Sequence, residues 1–252
     1  RRDDDLVAAA FGYACHPTVL SSYEWSGDYP GFAQVQLEKD YPELTAMFFQ
    51  GCGADQNPLP RRSVGLAKQY GRELAAAVGN VLENGGEQLA CELQTAYTEI
   101  DLDFSEPPSI EALKKASASA SPYKRRWAQR LLADQKNGIE IAESYPYPLQ
   151  VWRVGNQAIF VLGGEVVVDF AIQLKRIFGQ DVFVMGYAND VMSYIPSTRV
   201  LREGGYEGRT SQIVYGQPAA WAADIETQIM SAVIQLAKKA GVTIPPAQLI
   251  AE

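Results

Sequence analysis

The chain has 252 residues, with 22 Lys+Arg against 30 Asp+Glu for a formal charge of −8, and is 47% hydrophobic and 21% charged. That composition is globular rather than disordered, and an acidic balance without a strong basic cluster argues against a nucleic-acid surface, where Lys/Arg stripes neutralise phosphates. Apolar stretches such as residues 6–15 fall far short of the roughly 20 residues a membrane span needs. The three cysteines, Cys15, Cys52 and Cys91, are odd in number and lack CxxC spacing. This argues against a disulfide framework and a thiolate zinc site. The opening Arg1-Arg2-Asp3-Asp4-Asp5 is mostly acidic, unlike a signal peptide, and reads as the interior of a longer sequence.

The first apolar run, residues 6–14, reads as a buried strand that delivers His16 at its C-terminal end, since Pro17 holds His16 extended. A Gly- and Tyr-rich loop leads to a short helix over residues 32–39. A second strand over 44–49 ends in Gln50-Gly51-Cys52-Gly53-Ala54-Asp55-Gln56-Asn57-Pro58, a site-like loop. Ser63 is placed to cap a helix carrying Ala67, Tyr70, Leu74, Val78 and Val81 on one face and ending at Gly85-Gly86. Residues 89–104 read as a long strand and 108–137 as a helical segment broken at Pro122.

Residues 149–154 and 158–162 flank a Gly155-Asn156 turn, a hairpin signal. Gly163-Gly164-Glu165 then opens a helix with Val167, Phe170, Leu174 and Phe178 on one face, which makes Glu165 a first-turn residue. A strand over 181–185 precedes a loop running through Tyr194 and Tyr206. A last helix starts at Pro218, with Trp221, Ile225, Ile229, Ala232 and Leu236 inward. The alternation of strands and helices predicts an α/β fold, a layered single domain over residues 1–252 with a mixed β-sheet flanked by helices.

The chemistry-bearing residues lie at strand ends. His16 is the single histidine. No GxSxG, Walker A or GxGxxG sequence is present. Cys15 and His16, as neighbours leaving a strand, point to opposite faces and make no dyad. His, Glu, Tyr and Asp/Asn at strand ends suit a hard or borderline metal, or a polar small-molecule pocket, better than covalent catalysis.

Ala14-Cys15-His16-Pro17-Thr18, followed by Ser26-Gly27-Asp28 and Gly31, resembles the histidine segment of the neutral (non-lysosomal) ceramidase family. The segments Gln50-Gly51 and Asp55-Gln56-Asn57-Pro58, then Gly164-Glu165, Tyr187-Ala188-Asn189-Asp190, Ser193-Tyr194-Ile195 and Tyr206-Glu207-Gly208, resemble its later motifs in order. The resemblance implies the later part of that family's catalytic domain and a zinc amidase that hydrolyses the N-acyl bond of ceramide to sphingosine and fatty acid.

By the resemblance, His16, Glu165 and Tyr194 are zinc ligands and Tyr206 contacts the substrate amide and stabilises the oxyanion. Metal-activated water then makes a protein nucleophile unnecessary. A further zinc histidine, an acid–base histidine and a substrate arginine belong to a family segment upstream of Arg1. Asn57, a candidate substrate contact, stands where the family carries a serine. The resemblance also implies a secreted, periplasmic or surface location. It leaves three readings: a ceramidase-like zinc amidohydrolase with a lipid amide substrate, a related amidase for another small-molecule amide, or a non-catalytic binding domain on the same scaffold.

Overall fold

The computed structural model describes residues 5–245. The chain divides into two compact units, Arg1–Ala90 and Cys91–Glu252. Both alternate strands with helices, which gives the expected α/β class.

In the first unit, β1 (Ala8–Tyr13) pairs in parallel with β2 (Thr45–Gln50), setting Ala9 opposite Ala46 and Phe11 opposite Phe48. One face of this pair buries Ala9, Phe11 and Ala46 against Ala33 and Leu37 of α1 (Asp28–Asp40) and Ala75 of α2 (Val64–Asn84). Helix α2 has the expected ends, with Ser63 Oγ accepting from the Leu66 N–H at 3.2 Å and Gly85 at φ 79° following its last turn. Helix α1 begins at Asp28, four residues before the expected start at Phe32, because the preceding loop is folded onto the Asp28 carboxylate. The two helices meet closely at Gly71, where an added Cβ would lie 2.5 Å from Phe32 Cβ and 2.9 Å from the Tyr29 carbonyl oxygen.

In the second unit, β3 (Leu93–Asp103), β4 (Ser144–Val154) and β5 (Gln157–Leu162) form an antiparallel meander, with Val154 opposite Gln157 across the expected Gly155-Asn156 turn. Helix α5 (Val168–Phe178) crosses over to β7 (Phe183–Met185), which joins β5 in parallel, so the sheet is mixed, in the order β3-β4-β5-β7. Helices α3 (Ile110–Ser117) and α4 (Pro122–Lys136) pack through Leu113, Ala116, Ala128 and Leu131. Pro122 is the first residue of α4, where its missing N–H costs no bond.

Two expectations are corrected here. The last helix, α8 (Ile225–Lys239), starts seven residues after Pro218. Residues 220–222 instead pair with the end of β3: Ala222 N–H donates to Asp103 O at 2.9 Å and Ser105 N–H to Ala220 O at 2.7 Å. Trp221 is buried ahead of the helix, and the inward face runs through Ile225, Ile229, Val233 and Leu236, with Ala232 half-buried. The supposed loop between β7 and α8 contains β8 (Tyr194–Ile195), which pairs in parallel with β6 (Glu165–Val166) from ahead of α5, then α6 (Thr198–Glu203), a π-helical turn (Tyr206–Thr210) and α7 (Ser211–Tyr215). No helix of the described residues is long and apolar enough to cross a membrane.

Alanine is a better helix former than glycine by about 1 kcal/mol, yet Gly71→Ala should lower stability. Overpacking against the Tyr29 backbone costs about 1–3 kcal/mol. Gly65→Ala on the same helix, whose nearest neighbour would be Ser63 Oγ at 3.8 Å, should be neutral or stabilising. Urea unfolding of the pair checks this, and equal behaviour contradicts the close approach.

Candidate functional site

The β6–β8 ladder sets Glu165 directly opposite Tyr194, and the Glu165 N–H donates to Ser193 O at 2.8 Å. Glu165 is therefore a strand residue, and the helix it was expected to open begins at Val168. Gly164 permits the pairing: it sits at φ 71°, and a Cβ there would lie 2.8 Å from Ser193 O. Both partners are buried, Glu165 at 7% exposure and Tyr194 at 6%.

A buried carboxylate must be hydrogen-bonded, and phenols do this. Tyr187 hydroxyl donates to Glu165 Oε2 at 2.8 Å, Tyr215 hydroxyl donates to Oε1, and Tyr194 is also hydrogen-bonded to Glu165. Burial, followed by the Glu165 charge and hydrogen bond, pushes the Tyr187 and Tyr194 hydroxyls well above the ordinary phenol range. For Tyr215, burial is again first, then the hydrogen bond to Glu165 and its charge. The half-exposed Tyr206 meets Tyr194 edge-on at 5.3 Å between ring centroids. Its pKa is raised by burial and then by Glu165.

The backbone behind Tyr194 is held from the sheet. Trp221 Nε1 donates to Tyr194 O at 2.8 Å, and the Trp221 ring stacks on Phe104 at 4.6 Å. Tyr206 stands on the π-helical turn behind Gly204 and Gly205, both at positive φ; such turns concentrate at functional sites. Tyr215, nine residues on, was not singled out from the sequence. The signal was present: Gly216 follows it at φ 78°, a left-handed helix stop.

His16, in the first unit, is buried and fixed by the loop after β2. Its N–H donates to Gln56 O at 3.0 Å, and Nε2 lies 2.8 Å from Ala54 O. A carbonyl oxygen only accepts, so Nε2 donates a hydrogen to Ala54 O. A carbonyl behind the ring is the device that orients metal-binding imidazoles. Gly53 is required in this loop, since a Cβ would fall 2.4 Å from the Ala14 carbonyl carbon. Asn57 is exposed, and its Oδ1 accepts from Thr18 Oγ1 at 3.2 Å and Arg61 Nη1 at 2.9 Å. It lines a cleft of about 520 Å³ with Tyr13, Cys15, Tyr29 and Tyr70. Cys15 Sγ faces Gln56 O at 3.8 Å, and none of the three cysteines is in a disulfide.

The donor set of the second unit fits part of a zinc site. A carboxylate and a phenol oxygen stand side by side, buried and already joined by a hydrogen bond whose proton a cation could replace. Among the described residues no three His, Cys, Asp or Glu cluster to hold a metal ion. An ion at Glu165 would therefore need tyrosine oxygen as well.

No protein-family model matches the sequence, and no curated protein matches it. Solved structures do match in fold. One is the neutral ceramidase from Pseudomonas aeruginosa, with a TM-score of 0.67 at 15% identity over 97% of this chain. Another is a ceramidase complexed with C2, with a TM-score of 0.66 at 14% identity over 95% of this chain. The chain spans 46% of the length of each. It has a ceramidase-like fold.

The raised phenols set the alkaline behaviour. Their folded pKa values lie above the unfolded value of 10.0. The stability they contribute is thus fully present below pH 10 and is lost as pH rises through the folded values. In a titration at 295 nm, Tyr187, Tyr194 and Tyr215 should ionise after the exposed tyrosines, together with alkaline unfolding. Glu165→Gln should bring their ionisation to lower pH, and an unchanged titration curve would contradict the assigned cause.

Proposed function

We propose that this chain belongs to a zinc-dependent amidohydrolase, in which His16, Glu165 and Tyr194 are ligands and Tyr206 acts on the substrate. The observation that carries this reading is the pairing of Glu165 with Tyr194, two oxygen donors brought together on adjacent buried strands within a ceramidase-like fold. The Ala54 carbonyl behind Nε2, which orients the His16 ring, supports its part in the set.

Zinc held by these residues would polarise an acyl carbonyl and lower the pKa of water, so that no protein nucleophile would be needed. The residues do the rest. Glu165 supplies the negative charge that retains a cation. Tyr206, half-exposed beside Tyr194 and kept protonated by burial and the Glu165 charge, is a phenol donor suited to a developing oxyanion. The substrate on this reading is an N-acyl amide, with ceramide the first candidate by resemblance and a secreted or surface location implied with it.

A second reading, another N-acyl amide, is favoured by Asn57. Its side-chain oxygen is engaged by Thr18 and Arg61, and it carries no hydroxyl where the family has a serine.

Elemental analysis and amide turnover test both readings. His16→Ala should lose zinc while keeping its far-UV circular dichroism. Tyr206→Phe should keep zinc and lower turnover by about 100-fold. Ceramide against short N-acyl amides then separates the two substrates. Wild-type protein without zinc would refute the metalloamidase and leave a binding role on the same scaffold.

A further inference from the structure

We propose that Tyr187 and Tyr215 are positioning residues that fix the plane of the Glu165 carboxylate by holding one oxygen each. This rests on the reading of Glu165 as a zinc ligand. The two phenols arrive from separate elements: Tyr187 follows β7 and donates to Oε2 at 2.8 Å, while Tyr215 ends α7 and donates to Oε1. A carboxylate bound through one oxygen still rotates about its last bond; one bound through both does not.

The anchors are themselves fixed. Tyr187 sits at φ 56°, a left-handed conformation uncommon for a non-glycine residue, and its N–H donates to Gly164 O at 2.8 Å. The Tyr215 ring meets Tyr194 edge-on at 6.3 Å, and Gly216 stops its helix with φ 78°.

The reading of Tyr194 as a zinc ligand separates these two phenols from the third. A carboxylate offers about four lone-pair directions. Replacing the Tyr194 proton by a cation leaves the Tyr187 and Tyr215 hydrogen bonds intact, one on each oxygen. Tyr194 is then the exchangeable partner, and Tyr187 and Tyr215 are the permanent ones. Outer hydrogen bonds of this kind tune metal affinity.

Zinc affinity, measured by chelator competition on the folded chain, tests the role. Tyr215→Phe and Tyr187→Phe, which keep the rings, should each weaken zinc by roughly 10- to 100-fold. Tyr147→Phe is the control: it removes a buried hydroxyl that donates to Gly163 O at 2.9 Å, so it should lower stability and leave zinc affinity unchanged. In zinc-free protein, the carboxylate infrared stretch assigned by its absence in Glu165→Gln should shift in both test variants. If wild type binds zinc and neither variant weakens it, the positioning role is refuted while the metal site stands. Equal weakening in Tyr147→Phe refutes it too, by showing a general effect of local destabilisation. A wild-type chain that takes no zinc refutes the metal reading, and the role falls with it.

Discussion

The second unit is organised around the need to satisfy one buried carboxylate. Removing an ionised group from water costs several kcal/mol unless its lone pairs are met. Glu165 meets this with phenols from three places in the chain: the segment after β7, the strand β8 and the end of α7. Each place carries a backbone feature that serves the meeting. Gly164 and Tyr187 take left-handed conformations, β8 pairs for only two residues, and α7 stops at a left-handed Gly216. The short elements between residues 186 and 216 are explained by this cluster better than by their own propensities.

The mixed sheet supplies the rigid support. Trp221 bridges the Tyr194 backbone to Phe104 at the end of β3. The strand that carries Tyr194 is therefore held from the four-stranded sheet. That is why the segment after Pro218 is extended: its backbone bonds go to residues 103 and 105 rather than to a helical turn.

Local signals were legible in the sequence and nonlocal ones were not. Ser63 and Gly85 bound α2, Gly155-Asn156 turns a hairpin, and the spacing of Phe170, Leu174 and Phe178 marks α5, because each is decided by neighbours a few residues away. The pairs β6 and β8 have two residues each, too few for any period, and exist because strands some thirty positions apart exchange hydrogen bonds. Glu165 was accordingly read as a helix start. The π-helical turn and α7 are too short to show a period, and Gly216 marks only where α7 stops, so the sequence does not distinguish Tyr215 as family resemblance distinguishes Tyr194 and Tyr206.

The first unit offers an instructive contrast, because it too buries a carboxylate. Asp28 sits at 5% exposure and φ 51°, and its oxygens accept the backbone N–H groups of Val19 at 3.3 Å, Leu20 at 2.8 Å and Tyr29 at 2.7 Å. Backbone amides do not ionise, so nothing at Asp28 can be exchanged for a cation without breaking the loop it closes. That arrangement is a structural clamp, and it accounts for the Ser26-Gly27-Asp28 motif. Glu165 is served by hydroxyls instead, and a hydroxyl beside a cation can release its proton and become a ligand. Of the two buried carboxylates among the described residues, only Glu165 has partners whose chemistry can change while the fold stays in place. On the proposed reading, that difference in donors, more than burial or charge, is what suits Glu165 to hold a cation.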